Sequence, residues 1–248
     1  MAGHNKWSKI KHRKAVVDKR RSKAWTMCSR AIISAARQGG PDAMYNFALR
    51  AALDEARYHN VPNDNIDRAI RKGTGGGESD NFEPVRYEGY GPGGAAVIID
   101  ALTDNRTRTA GNIRLIFSDH EARLGTSGAV AHQFEQKGRL TLAAGEHDED
   151  RVMAAAIEAG ADDARPFDEH AWEIFTAPTD LASVRSGLEA AGFKIGESGF
   201  EMLPLVAAPV CGPAVKDLVA FIDALEDDED VKKVFTNAEW PASELAED

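Results

Sequence analysis

The pattern of apolar and polar positions changes abruptly after the first 21 residues. Residues 1–21 are polar, basic and almost free of aliphatic side chains, so we expect a mobile arm or a helix ordered by its partner. From Ser22 onward, apolar residues recur at helical spacing. This predicts a first helix with Ser22 as its N-cap and with Gly39 and Gly40 at its end.

Two further helices are predicted by apolar stripes. After Pro41, one stripe consists of Tyr45, Ala48, Leu49, Ala52, Leu53 and Ala56. A third, short helix turns Ile66, Ala69 and Ile70 inward, with Gly73 as a natural C′ residue. Three short helices with one apolar face each predict a small bundle.

Beyond a glycine-rich linker at 73–80, the periodicity is typical of mixed helices and strands. It predicts strands at 85–90, 95–102, 172–176, from Phe193 and at 231–235, with a turn at 91–94 and a hairpin within 129–142 turning at Lys137 and Gly138. It predicts helices at 110–117, 148–159, 180–191 and from Pro213. The predicted fold class is α+β: an N-terminal three-helix bundle followed by helices packed on antiparallel or mixed sheets.

Charge is divided very unevenly along the chain. Residues 1–73 hold 16 Lys and Arg against 6 Asp and Glu, a balance of +10, whereas the remainder hold 14 against 34, a balance of −20. This asymmetry indicates a polyanionic partner for the basic part. Nucleic acid is the natural candidate, because Lys and Arg bind phosphates through charge and counterion release. The charge does not distinguish DNA from RNA, and a solvated basic tail without a specific partner is the alternative.

The candidate nucleic-acid-binding residues lie mainly in the arm and the helices that follow it. Trp7 could stack on an unpaired base, and His12 could add charge near neutral pH. Arg68, Arg71 and Lys72 would face outward from the third helix. The full set from this region is Lys6, Trp7, Lys9, Lys11, His12, Arg13, Lys14, Lys19, Arg20, Arg21, Lys23, Arg68, Arg71 and Lys72.

The segment 103–109 is a second candidate contact. It leads from a predicted strand into a helix, where Asp104 or Thr107 could act as the N-cap. Arg106 and Arg108 would then be two exposed cations at a helix N-terminus, a region that attracts anions. The alternative is a capped loop with surface arginines.

Enzyme and cofactor motifs are missing from the sequence. The glycine-rich pieces at 73–77, 89–94 and 125–128 fit neither a P-loop nor a dinucleotide fingerprint. The histidines have no paired metal-ligand spacing, and the acidic run 226–230 is more typical of a solvated helix end than of a metal site. Cys28 and Cys211 are far apart and carry no nucleophile signature. We therefore predict no enzyme, no cofactor, no metal and no small-molecule substrate.

Several motifs resemble the YebC/PmpR family, which is described as probable transcriptional regulators with mitochondrial relatives that act as translational activators. The similar stretches are 2–14 (AGHNKWSKIKHRK), 61–66, 71–73, 87–94, 103–109, 134–138 and 226–231 with Asn237. Together they span about residues 2 to 240. Ala122 and Arg123 stand where the family usually has two glycines.

The resemblance implies three domains: an N-terminal three-helix domain, 1–78, followed by two α+β domains around a cleft. The first of these two is discontinuous, 79–133 plus 206–240, and the second, 134–205, is inserted into it. It also implies DNA binding in bacterial regulators, or ribosome association in members that help translation.

The resulting hypothesis is a cytoplasmic, non-enzymatic, nucleic-acid-binding regulator of gene expression, with no membrane partner. Residues 1–37 with Arg68, Arg71 and Lys72 would bind the phosphate backbone, and Tyr87, Tyr90, Arg106 and Arg108 would form a secondary contact. The alternatives are a translation factor that binds ribosomal RNA and a protein-interaction module that uses the acidic half. No base-reading helix is evident, so we expect weak sequence preference.

Overall fold

The computed structural model describes residues 17–75, 81–142, 148–167 and 171–241, and side chains from Arg21 onward. The chain divides into two compact units, Met1–Glu135 with Pro204–Asp248 and Gln136–Leu203, called unit 1 and unit 2 below. The more detailed division into three domains stays a prediction.

The described residues form helices and strands that are numbered here in chain order. The helices are α1 Val17–Gly39, α2 Phe47–Tyr58, α3 Asn63–Thr74, α4 Arg106–Asp119, α5 Glu149–Ala159, α6 Leu181–Ala190 and α7 Pro213–Asp227. The strands are β1 Glu83–Tyr90, β2 Ala96–Thr103, β3 Arg123–Leu124, β4 Phe134–Leu142, β5 Asp163–Pro166, β6 Trp172–Thr176, β7 Ile195–Pro204, β8 Ala208–Pro209, β9 Val231–Thr236 and β10 Ala238–Glu239. The predicted α+β class is confirmed.

Helices α1, α2 and α3 pack around one apolar core. It includes Ile32 and Ala36 from α1, Leu49 from α2 and Ile66 from α3. Trp25 Nε1 donates to the carbonyl of His59 just before α3 begins, while the end of α3 lies against Ile33 and Ala36. Helices α1 and α3 therefore run in the same direction.

Three details of the predicted helices are wrong. Ser22 lies inside α1, because the helix already includes the polar residues from Val17. Tyr45 precedes α2, whose N-cap is Asn46: its Oδ1 accepts from Leu49 N at 3.0 Å. Gly73 is not a C′ residue but a buried position within α3, where an added Cβ would lie 2.6 Å from the Ile33 carbonyl oxygen. The lack of a side chain at Gly73 therefore allows α3 to pack closely against α1.

The main sheet of unit 1 has the order β3-β1-β2-β9 with antiparallel neighbours, and a short parallel pair joins β8 to β10. Helices α4 and α7 cover one face through Phe117 and Phe221, whose rings meet edge to face at 4.9 Å. The predicted turn between β1 and β2 is confirmed, and Gly93 adopts a φ of 72° there. That positive φ is one that glycine adopts without strain.

In unit 2, helices α5 and α6 pack on a sheet of order β5-β6-β4-β7. The predicted hairpin at Lys137 and Gly138 is wrong, because β4 continues through both residues. Gly138 pairs with Thr176 on β6, and a Cβ on it would lie 2.7 Å from the Thr176 hydroxyl oxygen. Gly138 therefore allows the neighbouring strand β6 to approach closely and does not form a turn. Among the described residues, no helix combines the length and apolarity that crossing a membrane requires.

Gly73→Ala tests the close packing of α3 on α1. Within a helix, alanine is normally more stabilising than glycine by about 1 kcal/mol. Here the new Cβ meets backbone and Ala36, so we expect the free energy of unfolding to fall by about 1–3 kcal/mol in denaturant titrations followed by circular dichroism.

Gly111→Ala is the matched control, because this exposed glycine within α4 has no heavy atom within 4 Å of its added Cβ. It should leave stability unchanged or raise it. Equal effects of the two substitutions would contradict the packing role of Gly73.

Candidate nucleic-acid interface

Most of the predicted arm contacts lie outside the described residues. These are Lys6, Trp7, Lys9, Lys11, His12, Arg13 and Lys14. Lys19 and Arg20 belong to α1, but their side chains also lie outside the described part of the structure.

Four predicted cations lie on the surface of the helical bundle. Arg21 is exposed on α1, with its guanidinium 4.9 Å from the ring centre of Trp25. Arg68, Arg71 and Lys72 are exposed on α3. Helices α1 and α3 run in parallel, and the end of α3 lies beside Ile33 and Ala36 of α1. Measured along the axis of α1, Arg21 lies roughly 20 Å from this end of α3. The packing of the bundle therefore sets the spacing between Arg21 and the three cations of α3.

Lys23, also a predicted contact, is bonded within the protein. Its ammonium donates to the carbonyl oxygens of Glu226 and Asp228, with a distance of 2.7 Å to the latter. These carbonyls lie at the C-terminal end of α7, where the helix dipole favours a cation. Lys23 thus joins α1 to α7.

A buried carboxylate, that of Asp230, bonds to several elements of unit 1, and the residue is only 2% exposed. Its carboxylate accepts from Arg30 of α1 at 2.7 Å and from Arg108 of α4 at 2.8 Å. The hydroxyl of Thr109 donates to it at 2.7 Å. Burial alone would raise the pKa of Asp230, but bonds from Arg108, Thr109 and Arg30 lower it below its usual value.

The acidic run was predicted to be a solvated helix end, and that interpretation is wrong for its last residue. Asp230 lies between the end of α7 and the start of β9. Its side chain lies at the junction between sheet and bundle, where it bonds to Arg30 and Arg108. Backbone groups support it: Leu102 N donates to Asp230 O at 2.8 Å, and Arg30 also donates to Glu229 O at 2.9 Å. Only the resemblance at 226–231 marked this residue in the sequence.

The predicted cations at the N-terminus of α4 are both ion-paired. Arg108 pairs with Asp104 at 2.7 Å as well as with Asp230, and its side chain is 46% exposed. Arg106 pairs with Glu83 at 2.9 Å and is 62% exposed. The N-cap is neither Asp104 nor Thr107 but Asn105, which accepts from Arg108 N at 3.0 Å.

The two predicted tyrosines are half-buried. Tyr87 packs against the core beneath α4 and α7, and burial raises the pKa of its hydroxyl. The Tyr90 hydroxyl accepts from Gln133 Nε2 at 3.1 Å. Both side chains therefore contribute to packing within unit 1.

Buried Glu88, between the two tyrosines, fixes the nearby loop. Its carboxylate accepts from the backbone N–H groups of Gly128, Val130 and Ala131 at 2.8–2.9 Å. Burial alone would raise the pKa of Glu88, and these backbone donors bring it below its ordinary value.

A surface feature that the sequence analysis missed is the segment 44–47. Tyr45 and Phe47 are 79% and 76% exposed, and Met44 is also exposed. Arg50 donates to the carbonyls of Ala43 and Met44 and lies over the Phe47 ring at 5.3 Å. The buried side chain of Asn46 donates to Ala35 O at 2.8 Å. The segment is thus held from both sides while its aromatic rings face solvent.

The structure also brings together three potential metal ligands. The ligand atoms of Cys28 on α1, Glu55 on α2 and His59 at the end of α2 lie within 4.8 Å of one another. Burial, followed by the charge of Glu55, raises the pKa of the Cys28 thiol to about 12. The helical stripes of the sequence do not show this cluster, because helix packing creates it.

Comparisons with known proteins cover nearly the whole chain. Residues 5–76 match the family profile described as TACO1/YebC protein N-terminal domain, and residues 82–238 match TACO1/YebC second and third domain. A "Probable transcriptional regulatory protein" of Pelotomaculum thermopropionicum is 49% identical over 241 residues, covering 96% of this chain and 99% of the relative. One from Haemophilus influenzae is 47% identical over 239 residues, covering 96% of each chain.

The fold is also similar to that of a solved structure. A conserved hypothetical protein from Aquifex aeolicus matches with a TM-score of 0.85 and 39% identity, over 94% of this chain and 96% of that one.

Asp230→Asn tests whether the buried carboxylate stabilises unit 1. The substitution removes the charge that faces Arg30 and Arg108, so we expect the free energy of unfolding to fall by roughly 2–3 kcal/mol at pH 7. Exposed Glu229→Gln is the control, since it neutralises the neighbouring acid and should change stability by less than about 0.5 kcal/mol.

The pH dependence of the free energy of unfolding is a second test of the Asp230 carboxylate. The pKa of Asp230 is lowered on folding, so its stabilisation is complete above the unfolded value, near 3.9, and is lost as the pH falls through the folded value. The stability difference between wild type and Asp230→Asn should therefore be constant from about pH 5 to 7 and shrink below about pH 4. A difference that grows on acidification would contradict this assignment.

Proposed function

The chain belongs to the TACO1/YebC family, and from that premise we propose that it is a non-enzymatic regulator of gene expression that binds nucleic acid through its basic N-terminal region. Its relatives are named probable transcriptional regulatory proteins, which supports the regulatory role. Such a regulator would act in the cytoplasm, where its nucleic-acid partner is present.

The observation that carries the proposal is the exposed position of Arg21, Arg68, Arg71 and Lys72 in the region whose charge balance is +10. Other cations of the region, Lys23 and Arg30, bond within unit 1. The exposed four extend the run of cations in residues 6–20 onto a folded surface. A DNA duplex or a folded RNA presents phosphates over a distance of roughly 20 Å, which is the separation of Arg21 from the end of α3.

The proposed secondary contact contains fewer residues than the sequence suggested. Tyr87 and Tyr90 pack inward, and the charge of Arg108 is compensated by Asp104 and Asp230. Among the described residues, Arg106 pairs with half-exposed Glu83, so it is the residue of this group that a phosphate can compete for. Surface ion pairs of this kind contribute little, and exchange of the partner costs little.

Ribosomal RNA is the second candidate target, and the segment 44–47 favours it. Unpaired bases stack on exposed aromatic rings, whereas bases within a DNA duplex present only their edges. Tyr45 and Phe47 offer such rings next to the guanidinium of Arg50. A protein partner would instead use the acidic half, and the binding experiments below distinguish the three.

The first experiment is a competition titration of purified protein against duplex DNA and ribosomes at several salt concentrations. The variant Arg68→Glu/Arg71→Glu/Lys72→Glu should bind more weakly. Its slope of log affinity against log salt should be shallower by about 2–3, since each phosphate contact contributes about 0.7–0.9. A variant with Lys9, Lys11, Arg13 and Lys14 changed to Glu should show the same loss.

The control for net charge is Arg114→Glu/Lys194→Glu/Lys216→Glu, which reverses three exposed cations elsewhere. It should keep most of the affinity. Equal losses in both triple variants would show nonspecific attraction, and unchanged binding in the α3 and arm variants would overturn the proposed surface in favour of a protein-interaction module.

A second variant, Tyr45→Ala/Phe47→Ala, separates RNA from DNA. Stacking of a base on an aromatic ring contributes about 1–3 kcal/mol, so affinity for ribosomes or for an unpaired RNA should fall roughly tenfold or more, with duplex DNA nearly unaffected. Phe200→Ala, which removes a ring that is 51% exposed in unit 2, is the control. Unchanged ribosome binding would contradict the stacking role.

A further inference from the structure

Helices α1 and α2 bring a thiol, a carboxylate and an imidazole to one place. Glu55 and His59 are four residues apart, at the end of α2, and so lie on the same side of it. Cys28 faces them from α1 and is 2% exposed. All three ligand atoms lie within 4.8 Å of one another.

The surrounding contacts hold two of these residues in position. Trp25 Nε1 donates to the carbonyl of His59 at 2.9 Å, and His59 N donates to the carbonyl of Glu55 at 3.1 Å. Lys232 of β9 donates to Glu55 Oε2 at 2.9 Å. A carboxylate that binds a lysine through one oxygen can still bind a metal through the other, and such outer partners orient metal ligands.

We propose that Cys28, Glu55 and His59 form a zinc site within the helical bundle. Sulfur, nitrogen and oxygen donors of this kind are the ones that Zn²⁺ binds, and soft thiolate favours zinc over magnesium or calcium. Three protein ligands leave the fourth tetrahedral position to water. Neither the nucleic-acid proposal nor the family motifs include this set of residues.

The geometry requires only small movements. Typical zinc bond lengths place neighbouring tetrahedral ligand atoms about 3.3–3.6 Å apart. Because all three ligand atoms already lie within 4.8 Å of one another, each separation needs to close by at most about 1.5 Å. Rotation of the Glu55 and His59 side chains can supply this, because both are half-buried and near the end of α2. On binding, the Cys28 thiol loses its proton to solvent and its sulfur bonds to the metal as thiolate.

A metal at this position would link α1 to α2 and, through Lys232, to β9. The ligands belong to the interior of unit 1 and not to the exposed cations of α3. Zinc would therefore stabilise the folded bundle without being a required part of nucleic-acid binding.

The experiment uses the full-length protein, stripped with a chelator and titrated with Co²⁺ and then with Zn²⁺. Co²⁺ bound by a thiolate gives a charge-transfer band in the near ultraviolet and strong visible bands when tetrahedral. We expect one equivalent of Co²⁺ to produce both, one equivalent of Zn²⁺ to abolish them, and the thermal unfolding midpoint to rise with zinc concentration.

Cys28→Ser should remove the charge-transfer band, and His59→Gln should weaken zinc binding at least tenfold. The matched controls are Cys211→Ser, at the exposed cysteine, and His120→Gln, at a half-buried histidine elsewhere in unit 1. Both should bind as the wild type does. Circular dichroism checks that each variant is folded.

The proposal is overturned if wild-type protein shows no thiolate-to-cobalt band, a result that needs no variant. It is also overturned if the band persists in Cys28→Ser or disappears in Cys211→Ser.

Discussion

The buried carboxylate of Asp230 is the constraint on which the arrangement of unit 1 depends. A carboxylate removed from water is stable only when its oxygens are bonded, and here the donors come from α1 and from the start of α4. Sliding α1 along the sheet would therefore leave buried charges unpaired. Phe82 and Leu102 fill the space beside this junction as part of the bundle core, so apolar packing and ionic geometry require the same position.

This constraint explains why neighbouring cations of the basic region have different roles. Lys23 and Arg30 point toward α7 and β9 and bond to carbonyls or to Asp230, whereas Arg21 points away. The side of α1 on which a residue lies decides the outcome, and helical periodicity fixes that side. The local excess of positive charge is thus divided between cations that hold the bundle in place and cations that are exposed to solvent.

Helical and strand periodicity was enough to predict most elements, because burial of an apolar face dominates local structure. Trp172–Thr176 and the helix from Pro213 show this. The errors concern contacts between distant residues. Gly73 and Gly138 have the composition of turns, yet each allows another chain segment to approach closely. Asp230 belongs to a run of acids, and only folding decides which acid is buried. The exposed α3 cations follow from the helical pattern, but Tyr45, Phe47 and the Cys28 cluster depend on how loops and helices pack.

The packing of α1 against α3 also bears on the sequence specificity of the proposed nucleic-acid binding. Phosphate contacts position a protein but carry no sequence information. The described cations lie on α1 and α3, whose spacing is set where Gly73 lets the two helices approach each other. Under the proposed function, a surface of this kind would recognise the distance between phosphates, and therefore the shape of a duplex or folded RNA, in preference to its bases. The weak sequence preference that we expect from the absence of a base-reading motif would then follow from the packing of the bundle as well.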